Sequence, residues 1–388
     1  MFSGLWAPLL LALGYLASGA FSSDARSHVP FQQLPQFAIA YTTLAVLHRL
    51  STTYSVLCTP ILRDEIKANP RRYLYVPLAI LLGCIALGQA FTFHSTFSFL
   101  GHTHAQLWAF FALAYVMLLW ERWHFCAQEF GVLSIYRIRA KQNAPEDKRF
   151  DRVYTVLLML LVNMTLFICL GFQDERNVLF HGVQLERFQP VLDVIAASAF
   201  GVGMLAVLFA LQREWRHPQR SLPKLGFYLL IGAHTLLLYF FPNAMGLFFF
   251  TYVFHHWMVA VGLFNRVTLR AYQSDGASAG LRYAKRVLPV LAVCVLWYKF
   301  FAPLDRAGNL SPVPDVRMFE GAGPGAKAFL GTIIGIFFAF NYLHYYYDRC
   351  FYSFANPGVR KLVGPLLFWQ SAPQTQAQPA RAAVTPAE

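Results

Sequence analysis

Residues 190–211 read PVLDVIAASAFGVGMLAVLFAL, and Asp193 is the only charged side chain among them. A helix rises about 1.5 Å per residue, so this stretch has a length of roughly 33 Å as an α-helix. The hydrocarbon core of a bilayer is about 30 Å thick. The stretch therefore predicts a helix that crosses a membrane.

Nine other apolar stretches of similar length occur along the chain. Hydrophobic residues make up 57% of the 388 residues and charged residues 13%, whereas soluble globular proteins carry about 25% charged residues. We predict an all-α polytopic membrane helix bundle that forms one transmembrane domain over residues 1–370. Its ten predicted spans are residues 4–22, 36–60, 73–94, 105–124, 152–172, 190–211, 224–241, 245–265, 285–302 and 328–348.

The basic residues predict an orientation for these spans. Of the 32 Lys and Arg residues, 24 fall in alternate segments between spans or in the tail, and six fall in the intervening segments. Lys and Arg accumulate in cytoplasmic loops of membrane proteins. The distribution predicts a bacterial-type inner membrane protein with both termini in the cytoplasm. The net charge of +13 is thus accounted for by topology, and we expect no nucleic-acid partner.

The two ends of the chain have features of their own. The first span either stays in place or is removed as a signal peptide, since Ala17-Ser18-Gly19-Ala20 offers small residues for cleavage. The lack of Lys and Arg before this span argues against cleavage. Residues 371–388 are rich in Ala, Pro, Gln and Thr, a composition that predicts a disordered cytoplasmic tail.

Ionisable side chains inside predicted spans mark the candidate functional site, because they are costly in a bilayer. Several lie near the membrane midplane or in its cytoplasmic half, where they can converge between helices. These candidates are His48, Arg49, His124, His255, His256, His344 and Asp348.

The side chains of His344 and Asp348 project from one helical face, because the two residues are four positions apart. Neutral imidazoles bind iron, zinc or copper, and a carboxylate can complete the coordination. We predict a transition-metal site, most consistent with iron. Its predicted ligands are His48, His255, His256 and His344. The predicted catalytic residues are Asp348, Arg49 and His124, and Asp348 either binds the metal or orients one of its ligands.

The pair His255-His256 and the turn from His344 to Asp348 resemble the histidine-rich membrane oxygenases. That class includes fatty-acid desaturases, hydroxylases and the bacterial carotene-cleaving enzymes of the Brp/Blh type. The resemblance implies an oxidoreductase that acts on a lipid or isoprenoid substrate. The His-x3-His and His-x-x-His-His boxes of desaturases are absent from this sequence, so no residue assignment transfers from that family.

Three other interpretations of the histidines remain open. A proton- or anion-coupled transporter would use His48, Arg49, His234 and Asp348 to handle protons or an anionic substrate. A membrane acyl- or glycosyltransferase would use one intramembrane histidine, His124 or His256, as a base. A purely structural role would have the histidines hydrogen-bond neighbouring helices together. The sequence alone leaves the choice between enzyme and transporter open.

Overall fold

In a computed structural model of the chain, the described residues are 47–93, 105–171, 188–240, 245–272, 292, 323–352 and 356–368. All regular secondary structure in this part of the chain is helical, which confirms the all-α prediction there. The predicted span 4–22 and the tail 371–388 lie outside the described residues. The same holds for most of 285–302 and for the first part of 36–60.

We number the helices α1 to α10 in chain order among the described residues. A 3₁₀ turn, Pro60–Leu62, joins α1 to α2, and both α3 and α5 contain wider π-helical turns. The bounds are α1, 47–57; α2, Arg63–Ala68; α3, Arg71–Tyr75 (π) followed by Val76–Phe93; α4, Ala105–Arg139; α5, Pro145–Thr155, Val156–Val162 (π) and Asn163–Gly171; α6, Gln189–Arg216; α7, Leu222–Phe240; α8, Met245–Tyr272; α9, Pro324–Phe351; and α10, Pro357–Phe368.

Five helices in the described ranges are long and apolar enough to cross a membrane. Each coincides with one predicted span: Arg71–Ala90, Pro145–Leu170, Gln189–Arg216, Leu222–Phe240 and Pro324–Phe351. The predicted spans 105–124 and 245–265 are also helical, within α4 and α8. The structure thus supports a membrane helix bundle, while the total of ten spans stays a prediction.

Helices α3 and α9 pack unusually closely, and glycines make this possible. A Cβ atom on Gly335 would lie 2.5 Å from the Cα of Ile85, and one on Gly88 would overlap the carbonyl oxygen of Gly331. Close backbone approach through small residues is the usual packing of helices within membranes. The side chain of Gln89 also donates a hydrogen bond of 2.5 Å to the hydroxyl of Thr332. This crossing fixes the position of α9, which carries His344 and Asp348.

A buried network of charged and polar groups joins α5, α6 and α7 near one end of the bundle. The ammonium of Lys224 lies 3.0 Å from Asp151 and 3.2 Å from Glu214, and it donates a hydrogen bond to Gln142. The Tyr228 hydroxyl donates to Asp151 over 2.8 Å. Paired and hydrogen-bonded charges of this kind are tolerated inside a protein, whereas single ones are not.

The outward face of α6 is strongly apolar. Val194 and Leu205 are each about two-thirds exposed, and Leu208 and Phe209 are more than half exposed. Contiguous exposed apolar surface is uncommon on soluble monomers. These side chains are suited to contact lipid, which agrees with the hydropathy of the helix.

Candidate metal centre

Four histidines from four different helices meet inside the bundle. They are His48 on α1, His124 on α4, His256 on α8 and His344 on α9, and all four are buried. One ring nitrogen of each lies within 4.8 Å of the corresponding nitrogen of every other. We call this set the four-histidine centre. Its nitrogens are close enough together to bind one ion.

The rings meet edge-on. The ring centres of His48 and His344 are 4.0 Å apart, and those of His124 and His256 are 5.0 Å apart, with interplanar angles of 66° and 83°. The Nε2 atoms of His124 and His344 are separated by 3.1 Å. Two nitrogens bound to one zinc-like ion at about 2.0 Å in a tetrahedral arrangement are about 3.3 Å apart. The observed separation is therefore close to that of a ligand pair.

Asp348 presents one carboxylate oxygen to this centre. Its Oδ2 lies 3.4 Å from Nε2 of His124 and 3.6 Å from Nε2 of His344. The hydroxyl of Thr52 donates a hydrogen bond to the other oxygen, Oδ1. Thr52 is one helical turn after His48 on α1, so α1 supplies both a ring and the group that orients the carboxylate. Thr52 is not among the residues predicted from the sequence, although its spacing of four from His48 was a usable signal.

Several polar atoms of the centre lack hydrogen bonds within the described part of the chain. They include Nδ1 of His48, Nδ1 of His344 and both ring nitrogens of His256. A buried polar atom without a partner costs about 1–3 kcal/mol. Simultaneous protonation of the four neighbouring rings is opposed by burial and by mutual repulsion. Neutral rings offer lone pairs, so the arrangement fits a metal cation.

Aromatic side chains and a backbone contact enclose the centre. The ring centre of Phe125 is 3.9 Å from that of His256, and Tyr345 is 4.7 Å from His124. The amide of Gln128 donates a hydrogen bond of 3.2 Å to the carbonyl oxygen of His256. These contacts place apolar ring surface against the centre, and a low local dielectric strengthens electrostatic interactions.

The remaining predicted site residues differ in their position relative to the centre. His124, predicted as a catalytic residue, lies among the four potential ligands. Arg49 does not; its guanidinium carbon lies 5.5 Å from the ring centre of Phe337. His255 also stays outside the four-histidine centre, because neighbouring residues on a helix point about 100° apart.

His255 instead faces Glu129 and His234. Its Nδ1 lies 3.5 Å from Oε1 of Glu129, and its ring centre is 5.9 Å from that of His234. Glu129 is not among the residues predicted from the sequence, because it falls between the predicted spans 105–124 and 152–172. In the structure α4 continues without a break to Arg139, and Glu129 is fully buried.

The centre thus consists of four buried imidazoles and one carboxylate, brought together by four helices. Such a set is suited to a first-row transition metal ion, and it includes no thiolate that would favour copper(I) or an iron–sulfur cluster. Comparisons of the chain with family models, curated proteins and solved structures give no match.

Proposed function

We propose that this chain is a membrane-embedded, metal-dependent oxidoreductase of the oxygenase, hydroxylase or desaturase type. The observation that carries the proposal is the convergence of His48, His124, His256 and His344 with Asp348 inside a membrane helix bundle. Imidazole and carboxylate ligands suit iron, which is the metal we propose. Imidazoles that serve only to join helices would not need four rings within ligand distance of one another.

The proposed substrate is a lipid or an isoprenoid. The centre is buried between helices with apolar outer faces, so a molecule dissolved in the bilayer has the shortest route to it. Phe125 and Tyr345 line the centre with apolar ring surface. Such surface accommodates a hydrocarbon chain and excludes water.

The proposed chemistry requires dioxygen and an external electron donor. In hydroxylation a C–H bond becomes C–OH with one atom of dioxygen, and the other atom leaves as water after taking up two electrons and two protons. In desaturation the substrate gives up two hydrogen atoms, and the same donor supply reduces dioxygen to two waters. A bound iron would activate the dioxygen, and the four histidines would hold it, with Asp348 as a further ligand or as the group that orients one.

We further propose that the protein lies in a bacterial-type inner membrane with ten spans and both termini in the cytoplasm. The support is the placement of 24 of the 32 Lys and Arg residues in alternate segments between the predicted spans or in the tail. The five apolar helices of the described ranges agree with membrane association.

Metal analysis of the detergent-purified, full-length protein tests this proposal. We expect iron at one equivalent per chain or more, and we expect His344→Ala and His48→Ala each to lose one equivalent. His217→Ala is the matched control, since His217 is partly exposed and pairs with Asp147 outside the centre. Substrate-dependent oxygen consumption with added lipid and a reductant should disappear together with that equivalent. A folded protein that holds no transition metal would overturn the proposal.

A proton- or anion-coupled transporter is the second candidate function. It is favoured by Arg49, a cationic residue that follows His48 directly in the sequence and lies within the same bundle of helices. Uptake by proteoliposomes without lipid oxidation would support this candidate. A transferase with one histidine base is tested by His124→Ala and His256→Ala, because only one of these two variants would then abolish activity.

A further inference from the structure

A second group of buried ionisable side chains meets at a different face of α8 from the four-histidine centre. Glu129 of α4, His234 of α7 and His255 of α8 form this group, which we call the Glu129 cluster. Their exposed fractions are 0%, 5% and 1%. Three separate helices therefore bring one carboxylate and two imidazoles together where water is excluded.

Two distances within the cluster are compatible with those between ligands of one ion. His255 Nδ1 and Glu129 Oε1 are 3.5 Å apart, and the ring centres of His234 and His255 are 5.9 Å apart. A ring nitrogen bound at about 2.0 Å places the centre of its ring about 3 Å from the ion. Two such rings on one ion therefore have centres roughly 5–6 Å apart.

The hydrogen bond of His234 determines which ring nitrogen can bind a metal. Its Nδ1 lies 2.9 Å from the carbonyl oxygen of Leu230. A carbonyl oxygen can only accept, so Nδ1 carries the hydrogen and Nε2 keeps its lone pair. Histidines that bind metals typically donate the other ring N–H to a carbonyl or carboxylate in this way.

Glu129 lacks compensation for its charge. Within the described ranges its carboxylate oxygens accept no hydrogen bond, and both are buried. An ionised carboxylate in this situation is strongly disfavoured unless a cation pairs with it. The imidazoles of His255 and His234 do not supply that cation themselves when they are neutral, but their lone pairs can help to bind one.

We propose that Glu129, His234 and His255 form a second metal site, separate from the four-histidine centre. Two histidines and one carboxylate are a common ligand set for divalent transition metals, with further positions left open. The adjacent residues His255 and His256 then serve different sites, as their divergent directions on α8 require. This second site does not depend on the function proposed for the first.

Cobalt(II) titration of the full-length protein in detergent, after removal of bound metal with a chelator, tests this site. Visible absorption and equilibrium dialysis should show two equivalents of cobalt per chain. We expect one equivalent in Glu129→Gln, one in His234→Gln, one in His344→Ala and none in the Glu129→Gln/His344→Ala double variant. Glu146→Gln, which alters an exposed glutamate at the start of α5, should keep both equivalents.

The variants separate the two sites. If Glu129→Gln and His234→Gln both bind as much cobalt as the unchanged protein, the second site is overturned, whatever His344→Ala does. If His344→Ala alone has no effect, the four-histidine centre and its proposed function fail, and the second site stands. Gel filtration and the helical circular dichroism signal report folding. Glu129→Gln and His234→Gln are each compared with the unchanged protein, so either variant tests the second site if the other does not fold.

Discussion

Asp348 illustrates how one residue acquires its orientation from another. Thr52 holds one carboxylate oxygen by a hydrogen bond, and the second oxygen faces His124 and His344. Without the hydroxyl, the carboxylate would be free to rotate away from the rings. The chemistry of the centre thus depends partly on Thr52, which is not itself one of the potential ligands.

The first prediction concerns Thr52. In Thr52→Ala we expect cobalt(II) to bind the four-histidine centre about tenfold more weakly, because groups that orient metal ligands typically contribute 10- to 100-fold in affinity. Thr52→Ser keeps the hydroxyl and should restore most of the affinity. Competition with a chelator of known affinity measures the change. Equal affinities in the alanine and serine variants would show that the hydrogen bond has no such role.

Individual residues also show what can and cannot be predicted from the sequence. The depth of His48, His256 and His344 within apolar spans was enough to predict that they belong together. The direction of the His255 side chain could not be predicted in this way, because two adjacent histidines differ only by rotation about a helix that the sequence does not orient. Glu129 and Lys224 lie in basic segments, and their burial depends on partners from other helices that no local pattern reveals.

At the scale of helices, the α3–α9 crossing supports the centre. The glycines that allow the close approach lie on α9 before His344 and on the facing turn of α3. A helix pair held at its backbone has little freedom to rotate. The ligands at the far end of α9 are positioned in part by this contact.

The second prediction concerns this crossing. Gly335→Leu places a side chain where even a Cβ would lie 2.5 Å from the Cα of Ile85, so the helices must separate. Overpacking of this kind typically costs about 1–3 kcal/mol, and we expect a lower unfolding temperature and weaker metal binding. Gly325→Leu is the matched control, because Gly325 is exposed near the start of α9 with open space around it. Similar losses of stability in both variants would contradict the packing argument.

Hydropathy predicted the helices themselves well. Runs of apolar residues gave five spans whose ends lie within seven residues of helices in the structure, since helix length in a bilayer is set by its thickness. Hydropathy could not predict that α4 is one helix of 35 residues. Its second half carries buried polar residues, which lower local hydropathy although the helix continues.

At the scale of the whole molecule, the bundle exposes apolar side chains and buries paired charges. The outer face of α6 is apolar, whereas Lys224, Asp151 and Glu214 are enclosed. This distribution is the reverse of a soluble protein. It suggests that the helices associate with a membrane.

The third prediction tests this distribution. Leu205→Arg puts a charge on the exposed apolar face near the middle of α6, and we expect membrane-integrated yield to fall because insertion costs about 3 kcal/mol. Trp215→Arg is the matched control, since Trp215 is similarly exposed but lies beside Arg213 and Arg216 at the end of the helix. Carbonate-resistant protein in membrane fractions measures the effect. Equal yields from the two variants would argue against α6 crossing the bilayer.

The hydrogen bond between Thr52 and Asp348 joins residues that are 296 positions apart, and this distance has a consequence for biosynthesis. At about 5–20 residues per second, a ribosome takes roughly 15–60 s to get from the first of them to the second. During that time α1 lacks the partners that α9 supplies, His344 and Asp348, and truncated chains never complete the centre. Metal binding would then be the last step of assembly, and it would occur only in molecules that have been synthesised through α9.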